Sequence, residues 1–185
     1  HHSSRRAIYL QHSNISLTHS KIHHPGSYSG IYIGYSGISK IENNEITTVQ
    51  ASDCKAIDIY FNNSADGKSY IRNNHLIELN SYYMIFITNS NDYGDSPDSI
   101  FVENNIFDSM GNSNAYIRTD GINYTLIKNN IFRNKTRDGA ALIFQSNDQS
   151  IFRNNLIDNF SYGIQLYNNA STTIENNIVT NTNYA

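Results

Sequence analysis

A six-residue phrase recurs along the chain and restricts what the chain can fold into. It reads Φ-x-N-N-x-Φ, where Φ is apolar. It occupies residues 41–46, 71–76, 102–107, 127–132, 152–157 and 174–179, with a degraded copy at 17–22 in which His19-Ser20 replace the Asn pair. Such periods take precedence over any other pattern. Side chains at odd separation in a flat strand point to opposite faces. The two Φ residues are five apart, so for both to reach one core the chain must bend between them. Asn tolerates the left-handed backbone conformation better than other non-glycine residues. The phrase therefore predicts strand, sharp corner, strand. In stacked copies the inner amides fall in register and can hydrogen-bond along the stack, giving an expected ladder of Ser20, Asn44, Asn74, Asn105, Asn130, Asn155 and Asn177.

An apolar triplet precedes each phrase, at 8–10, 31–33, 57–59, 85–87, 117–119, 142–144 and 164–166. Its outer two residues are expected to point inward and its middle one outward, with Thr119 the one polar inward residue. Each repeat then holds three short strands. The Asn pairs begin at 43, 73, 104, 129, 154 and 176. Loop lengths vary between them while the strands do not.

A coil of three short strands per turn with an Asn corner resembles the right-handed parallel β-helix of the pectate-lyase-like superfamily. The expectation is an all-β, single-stranded right-handed parallel β-helix over residues 7–185, with about seven rungs and an Asn ladder at one corner. Residues 1–6 are expected to be disordered or tag-derived. Stacked repeats need polar caps, and none is legible. The expectation is therefore a fragment of a longer protein, or ends covered by missing chain or another subunit. The superfamily spans lyases, glycoside hydrolases, epimerases, tailspikes and surface proteins of no known activity, so the fold does not fix the function.

The chain has 185 residues and a net charge of −3, which favours neither nucleic acid nor an anionic membrane. No apolar run is long enough for a transmembrane helix. The single Cys54 excludes an internal disulfide framework and fits a surface protein as well as a cytosolic one.

The expected outer faces differ. The residues before the Asn pairs read Thr18, Glu42, Arg72, Glu103, Lys128, Arg153 and Glu175, and those after the second Φ read His23, Thr47, Ile77, Asp108, Arg133, Asp158 and Thr180. Both rows read as solvated ion-pair ladders. The first-strand face is aromatic. Its outward residues are Tyr9, Tyr32, Asp58, Phe86, Arg118, Ile143 and Gln165, with Gln11, Gly34, Tyr60, Thr88, Asp120, Gln145 and Tyr167 two places on. Aromatic rings beside hydrogen-bonding groups suit a sugar chain. The resemblance implies the same, since superfamily enzymes bind polysaccharide along this sheet. Tyr9, Tyr32, Tyr60, Phe86, Gln165 and Tyr167 are the candidate ligand-binding residues, and an extracellular or cell-surface polysaccharide is the expected partner.

Asp58, Arg118 and Asp120 are the candidate catalytic residues. One rung separates Asp58 from the other two, so the carboxylates lie about 10 Å apart, wide for an inverting glycosidase and too wide for a retaining one. In a lyase or epimerase acting on an acidic polysaccharide, Arg118 could neutralise the uronate or take its C5 proton. No intact catalytic motif of the pectate lyases, polygalacturonases or alginate epimerases is present, and the chain has no Asp-Asp pair. Whether the chain is an enzyme, a binding module or a structural spacer or adhesin segment stays open on the sequence. Asp92, Asp95 and Asp98 form an oxygen-rich loop that could hold Ca2+; the simpler reading is a turn-rich polar loop. His12, His19, His23 and His24 crowd the first rung, where outward histidines could bind a transition metal; His19 is expected at an inward corner in place of an asparagine, and no metal site is expected. Cys54 has no recognisable partner for thiol chemistry.

Overall fold

A computed structural model describes residues 6–11, 14–24, 29–34, 37–48, 55–61, 67–78, 82–89, 98–109, 115–134 and 139–184. Within them the chain is a parallel β-solenoid with three strands per turn and three parallel sheets. The sixth turn shows the plan: Ala140–Gln145 joins the first sheet, Gln149–Arg153 the second and Leu156–Asp158 the third. Each sheet has seven strands, so five turns lie between neighbours on both sides. Every pairing between strands is parallel. No helix among the described residues is long and apolar enough to cross a membrane.

The Asn pair makes the corner between the second and third sheets. Its first residue adopts positive φ at Asn43, Asn73, Asn104, Asn129, Asn154 and Asn176, between 53° and 58°, where an L-residue without a short polar side chain is strained. The second residue turns inward and is buried at Asn44, Asn74, Asn105, Asn130 and Asn155. The Oδ1 of each of Asn74, Asn105, Asn130, Asn155 and Asn177 accepts from the backbone N–H and the Nδ2 of the Asn one turn earlier, at 2.9–3.0 Å. Nδ2 also donates to a buried carbonyl, as from Asn105 to Ile71 O at 2.8 Å. In the first turn His19 takes the positive-φ position and is exposed, while Ser20 takes the inward one. His19 was expected at the inward position; the backbone places it one step earlier.

The bore is filled by inward rows that repeat turn after turn. Ile31, Ile57, Ile85, Ile117 and Leu142 form one row of the first sheet, and Phe107 stacks on Phe132 at 4.7 Å in the third. Thr119 does face the core, where its hydroxyl accepts from Asn147 Nδ2 at 2.7 Å. One feature departs from simple alternation. Ala56-Ile57, Met84-Ile85, Tyr116-Ile117 and Ala141-Leu142 are pairs of successive residues that all enter the core. The residue before each pair, namely Lys55, Tyr83, Ala115 or Ala140, is thereby turned outward and lies in register with its counterparts.

A second corner, between the first and second sheets, is made by Gly121, Ser146 and Asn168, all at positive φ. It too is cross-linked by amides: Ile122 N donates to Asn147 Oδ1 at 2.9 Å and Asn147 N to Asn169 Oδ1 at 3.0 Å.

Candidate functional site

The outer face of the first sheet carries three rows that run along the solenoid axis. The middle row is Tyr9, Tyr32, Asp58, Phe86, Arg118, Ile143 and Gln165, one per turn. Beside it runs the hydrogen-bonding row Gln11, Gly34, Tyr60, Thr88, Asp120, Gln145 and Tyr167. On the other side lies the row that sequence reasoning missed: Lys55, Tyr83, Ala115, Ala140 and Tyr162. Tyr83, Ala115, Ala140 and Ile143 form a small apolar cluster separate from the bore, with Phe86 packed against it.

Ring contacts organise the face. Tyr9 and Tyr32 stack at 5.2 Å and 6°, and the Arg6 guanidinium sits 3.8 Å from the Tyr32 centroid. Tyr83 and Phe86 stack at 5.3 Å, and Tyr82 meets Tyr83 edge-on at 4.5 Å. Lys55 Nζ lies 4.1 Å from the Phe86 centroid and Arg118 Cζ 5.7 Å from it, so Phe86 has a cation contact from both neighbouring turns. Tyr9 and Tyr167 are about half exposed, at 50% and 49%. Tyr32, Tyr60, Phe86 and Gln165 are partly exposed. All six candidate ligand-binding residues thus lie on this one sheet.

The three candidate catalytic residues fall into two separate groups. Asp58 is buried. Its Oδ2 accepts from Ser29 Oγ at 2.8 Å and pairs with Lys55 Nζ at 3.2 Å. Arg118, two turns on, donates Nη1 to Tyr83 Oη at 2.9 Å and Nη2 to Gln145 Oε1 at 2.7 Å, with Asp120 Oδ2 at 3.4 Å. Asp58 does not join Arg118, because the ring of Phe86 occupies the turn between them. Ser29, Lys55, Tyr83 and Gln145 are the partners that hold the candidate residues. Only the outward cast of Gln145 was legible beforehand.

Burial disfavours the charged guanidinium of Arg118, but the hydrogen bond and charge interaction with Tyr83, together with Asp120, outweigh it and raise its pKa above the ordinary value. The phenol of Tyr83 is also pushed up, chiefly by burial, with Arg118 opposing. Arg118 is therefore a fixed cation and Tyr83 a neutral phenol whose oxygen accepts from it. Neither is a general base at moderate pH.

The other polar clusters have local explanations. Glu103 is buried between Arg72 Nε at 2.6 Å and Lys128 Nζ at 2.9 Å, and Arg153 meets Glu175 at 3.7 Å. Asp108 is held by both His75 at 2.8 Å and Arg133 at 2.7 Å. Asp98 is buried, with one oxygen accepting from Gly67 N at 3.2 Å and the other from Asn89 Nδ2 at 2.8 Å. It clamps the base of the loop that was weighed as a Ca2+ site; Asp92 and Asp95 lie outside the described residues, as do Cys54 and His12. Among the described residues no three or more His, Cys, Asp or Glu side chains cluster as a metal site.

The family model for the right handed beta helix region matches residues 58–185. The chain belongs to the right-handed β-helix family. That membership agrees with the three-sheet parallel coil, covers more than half the chain and specifies no enzyme. No curated protein and no solved structure matches it. As a β-helix protein it has a fold compatible with binding polysaccharide or acting on it, and the choice between these rests on the face just described.

Proposed function

We propose that this β-helix is an extracellular or cell-surface module that binds a polysaccharide along the outer face of its first sheet. The observation that carries the proposal is the pairing of two axial rows. The Tyr9, Tyr32 and Phe86 row supplies rings, and the Tyr60, Thr88, Asp120, Gln145 and Tyr167 row supplies hydrogen-bonding groups two residues away. Sugars present apolar faces and hydroxyl edges, and such sites combine rings with a few placed polar groups. The rows advance by about 4.8 Å per turn, close to the length one pyranose adds to an extended chain. A ligand lying along the axis would meet equivalent groups at each residue.

The lyase or epimerase alternative draws less support. Arg118 stays protonated and cannot take a proton. The carboxylates of Asp58 and Asp120 are two turns apart, about 10 Å, and Asp58 is already engaged by Lys55 and Ser29. The test is retention of the chain on immobilised polysaccharides, comparing wild type with a Tyr32→Ala/Tyr60→Ala/Phe86→Ala variant whose fold is checked by circular dichroism. Loss of retention in the folded variant is expected. Equal retention would move the site elsewhere.

A further inference from the structure

We propose that the ligand of this face is a neutral glycan and not a polyuronate or sulfated polymer. The inference rests on the polysaccharide-binding reading above and adds its substrate class. It follows from how the charges on the face are placed. In the third to fifth turns the two cations are Lys55 and Arg118, and each has its own carboxylate. Lys55 Nζ is 3.2 Å from Asp58 and Arg118 Nη2 is 3.4 Å from Asp120. Each cation is also turned onto the face's own rings, Lys55 onto Phe86 and Arg118 toward Tyr83 and Phe86.

Arg118 also donates Nη1 and Nη2 to the neutral oxygens of Tyr83 and Gln145, and its Nε is buried away from the surface. An anionic sugar would have to displace Asp120 or Asp58 from its cation, or bind beside both carboxylates. Asp58 is buried with a second donor in Ser29, which makes displacement costly. The middle of the face, with Lys55 against Asp58 and Arg118 against Asp120, is thus electroneutral. A neutral, hydroxyl-rich chain meets no such penalty. It can use Tyr60, Thr88, Gln145 and the outer oxygens of Asp120 as partners and the rings as apolar contacts.

The experiment uses the whole chain in affinity electrophoresis through gels containing either a neutral β-glucan or mannan, or polygalacturonate or alginate, each at low and high salt. The expected result is retardation by a neutral polymer that changes less than about twofold with salt, since no counter-charge is screened, and no retardation by polyuronates. Asp120→Asn, which leaves Arg118 without its carboxylate, is expected to create salt-sensitive retardation by polyuronate. Salt-sensitive retardation of the wild type by polyuronate alone would overturn the neutral class while leaving the groove in place. Retardation by a neutral polymer that survives the triple aromatic variant would overturn both. No retardation in any gel would remove the polysaccharide reading itself.

Discussion

Asn130→Ala tests the amide cross-links at the point where they are most enclosed. In the wild type, Asn130 Oδ1 accepts from Asn105 N at 2.9 Å and Asn105 Nδ2 at 3.0 Å, both buried. Asn130 Nδ2 donates to Val102 O, Lys128 O and Asn155 Oδ1. Truncation leaves two donors of Asn105 without that acceptor and removes a donor from the buried Val102 carbonyl. Asn105 Nδ2 keeps Ile71 O and Glu103 O, so the orphaned donor is Asn105 N, which costs about 1–3 kcal/mol, and the weakened Val102 carbonyl adds to it. That is a large part of the about 5–15 kcal/mol that holds a typical domain. Asn177→Ala is the matched control. It removes the same acceptor from Asn155 N and Nδ2, but in the last turn, where Asn177 is itself partly exposed and water can replace it. The assay is urea denaturation of both variants with the slope m held common. A loss for Asn130→Ala at least twice that for Asn177→Ala is expected. Equal small losses, below about 1 kcal/mol, would show that the corner is held by backbone conformation alone and would refute the role given to the amides.

Three further outcomes are expected. Gly67→Ala would place a Cβ 2.5 Å from Asp98 Oδ1 and 2.6 Å from the Phe61 ring; it should lower thermal stability by about 1–3 kcal/mol, measured by scanning calorimetry. Thr125→Val should stabilise the protein by about 1 kcal/mol in the same assay, because the Thr125 hydroxyl is buried with no partner among the described residues and burying an unmatched hydroxyl is unfavourable. The phenol of Tyr83 has a raised pKa in the fold, so its contribution to stability is complete below the ordinary tyrosine range and is lost as pH rises through the raised value. Wild-type stability, followed by urea midpoints in alkaline buffers, should fall in that window, and Tyr83→Phe should flatten the fall.

What the sequence could and could not convey follows from the range of each constraint. The Asn pair is a local signal with a local cause, since its first member takes positive φ and its second turns inward. Both can be read from six residues. The inward rows of the first sheet were legible for the same reason, as Ile57, Ile59, Ile85 and Ile87 alternate with Asp58 and Phe86. Lys55 and Tyr83 were not legible as site residues. The doubled inward pairs Ala56-Ile57 and Met84-Ile85 break the period of two just after them, so simple alternation places both on the wrong side. Ser29 lies 29 residues from Asp58 in sequence, and only the coil's period brings the two together. The second corner was hidden because Gly121, Ser146 and Asn168 share a backbone conformation and not a residue type.

The Asn corner also sets where this chain can vary. The second and third sheets are always joined through a two-residue corner, His19-Ser20 in the first turn and an Asn pair in the other six, as between Tyr124–Lys128 and Ile131–Asn134, and between Gln149–Arg153 and Leu156–Asp158. The connections on either side of the first sheet differ in length from turn to turn. Three residues separate Asp158 from Tyr162 but five separate Asn134 from Ala140, and three separate Gln11 from Ile15 but nine separate Asn89 from Ser99. The corner cannot stretch, because each inner amide must meet the next one about 4.8 Å along the axis. In the third and fourth turns the corresponding contact, Gly67 N donating to Asp98 Oδ1, stands at the end of connections of six and nine residues. Diversity therefore accumulates beside the first sheet, which is where the rings and hydrogen-bonding rows stand. A Gly-Ser pair inserted between Lys135 and Thr136, in the connection from Asn134 to Ala140, should leave stability within about 0.5 kcal/mol of wild type by urea denaturation, as the entropic cost of a longer connection grows slowly. The same pair inserted between Asn129 and Asn130 should cost several times more, since it breaks the register of Asn105, Asn130 and Asn155 at once. If both insertions were tolerated alike, the amide register would not be what holds the corner to a fixed length.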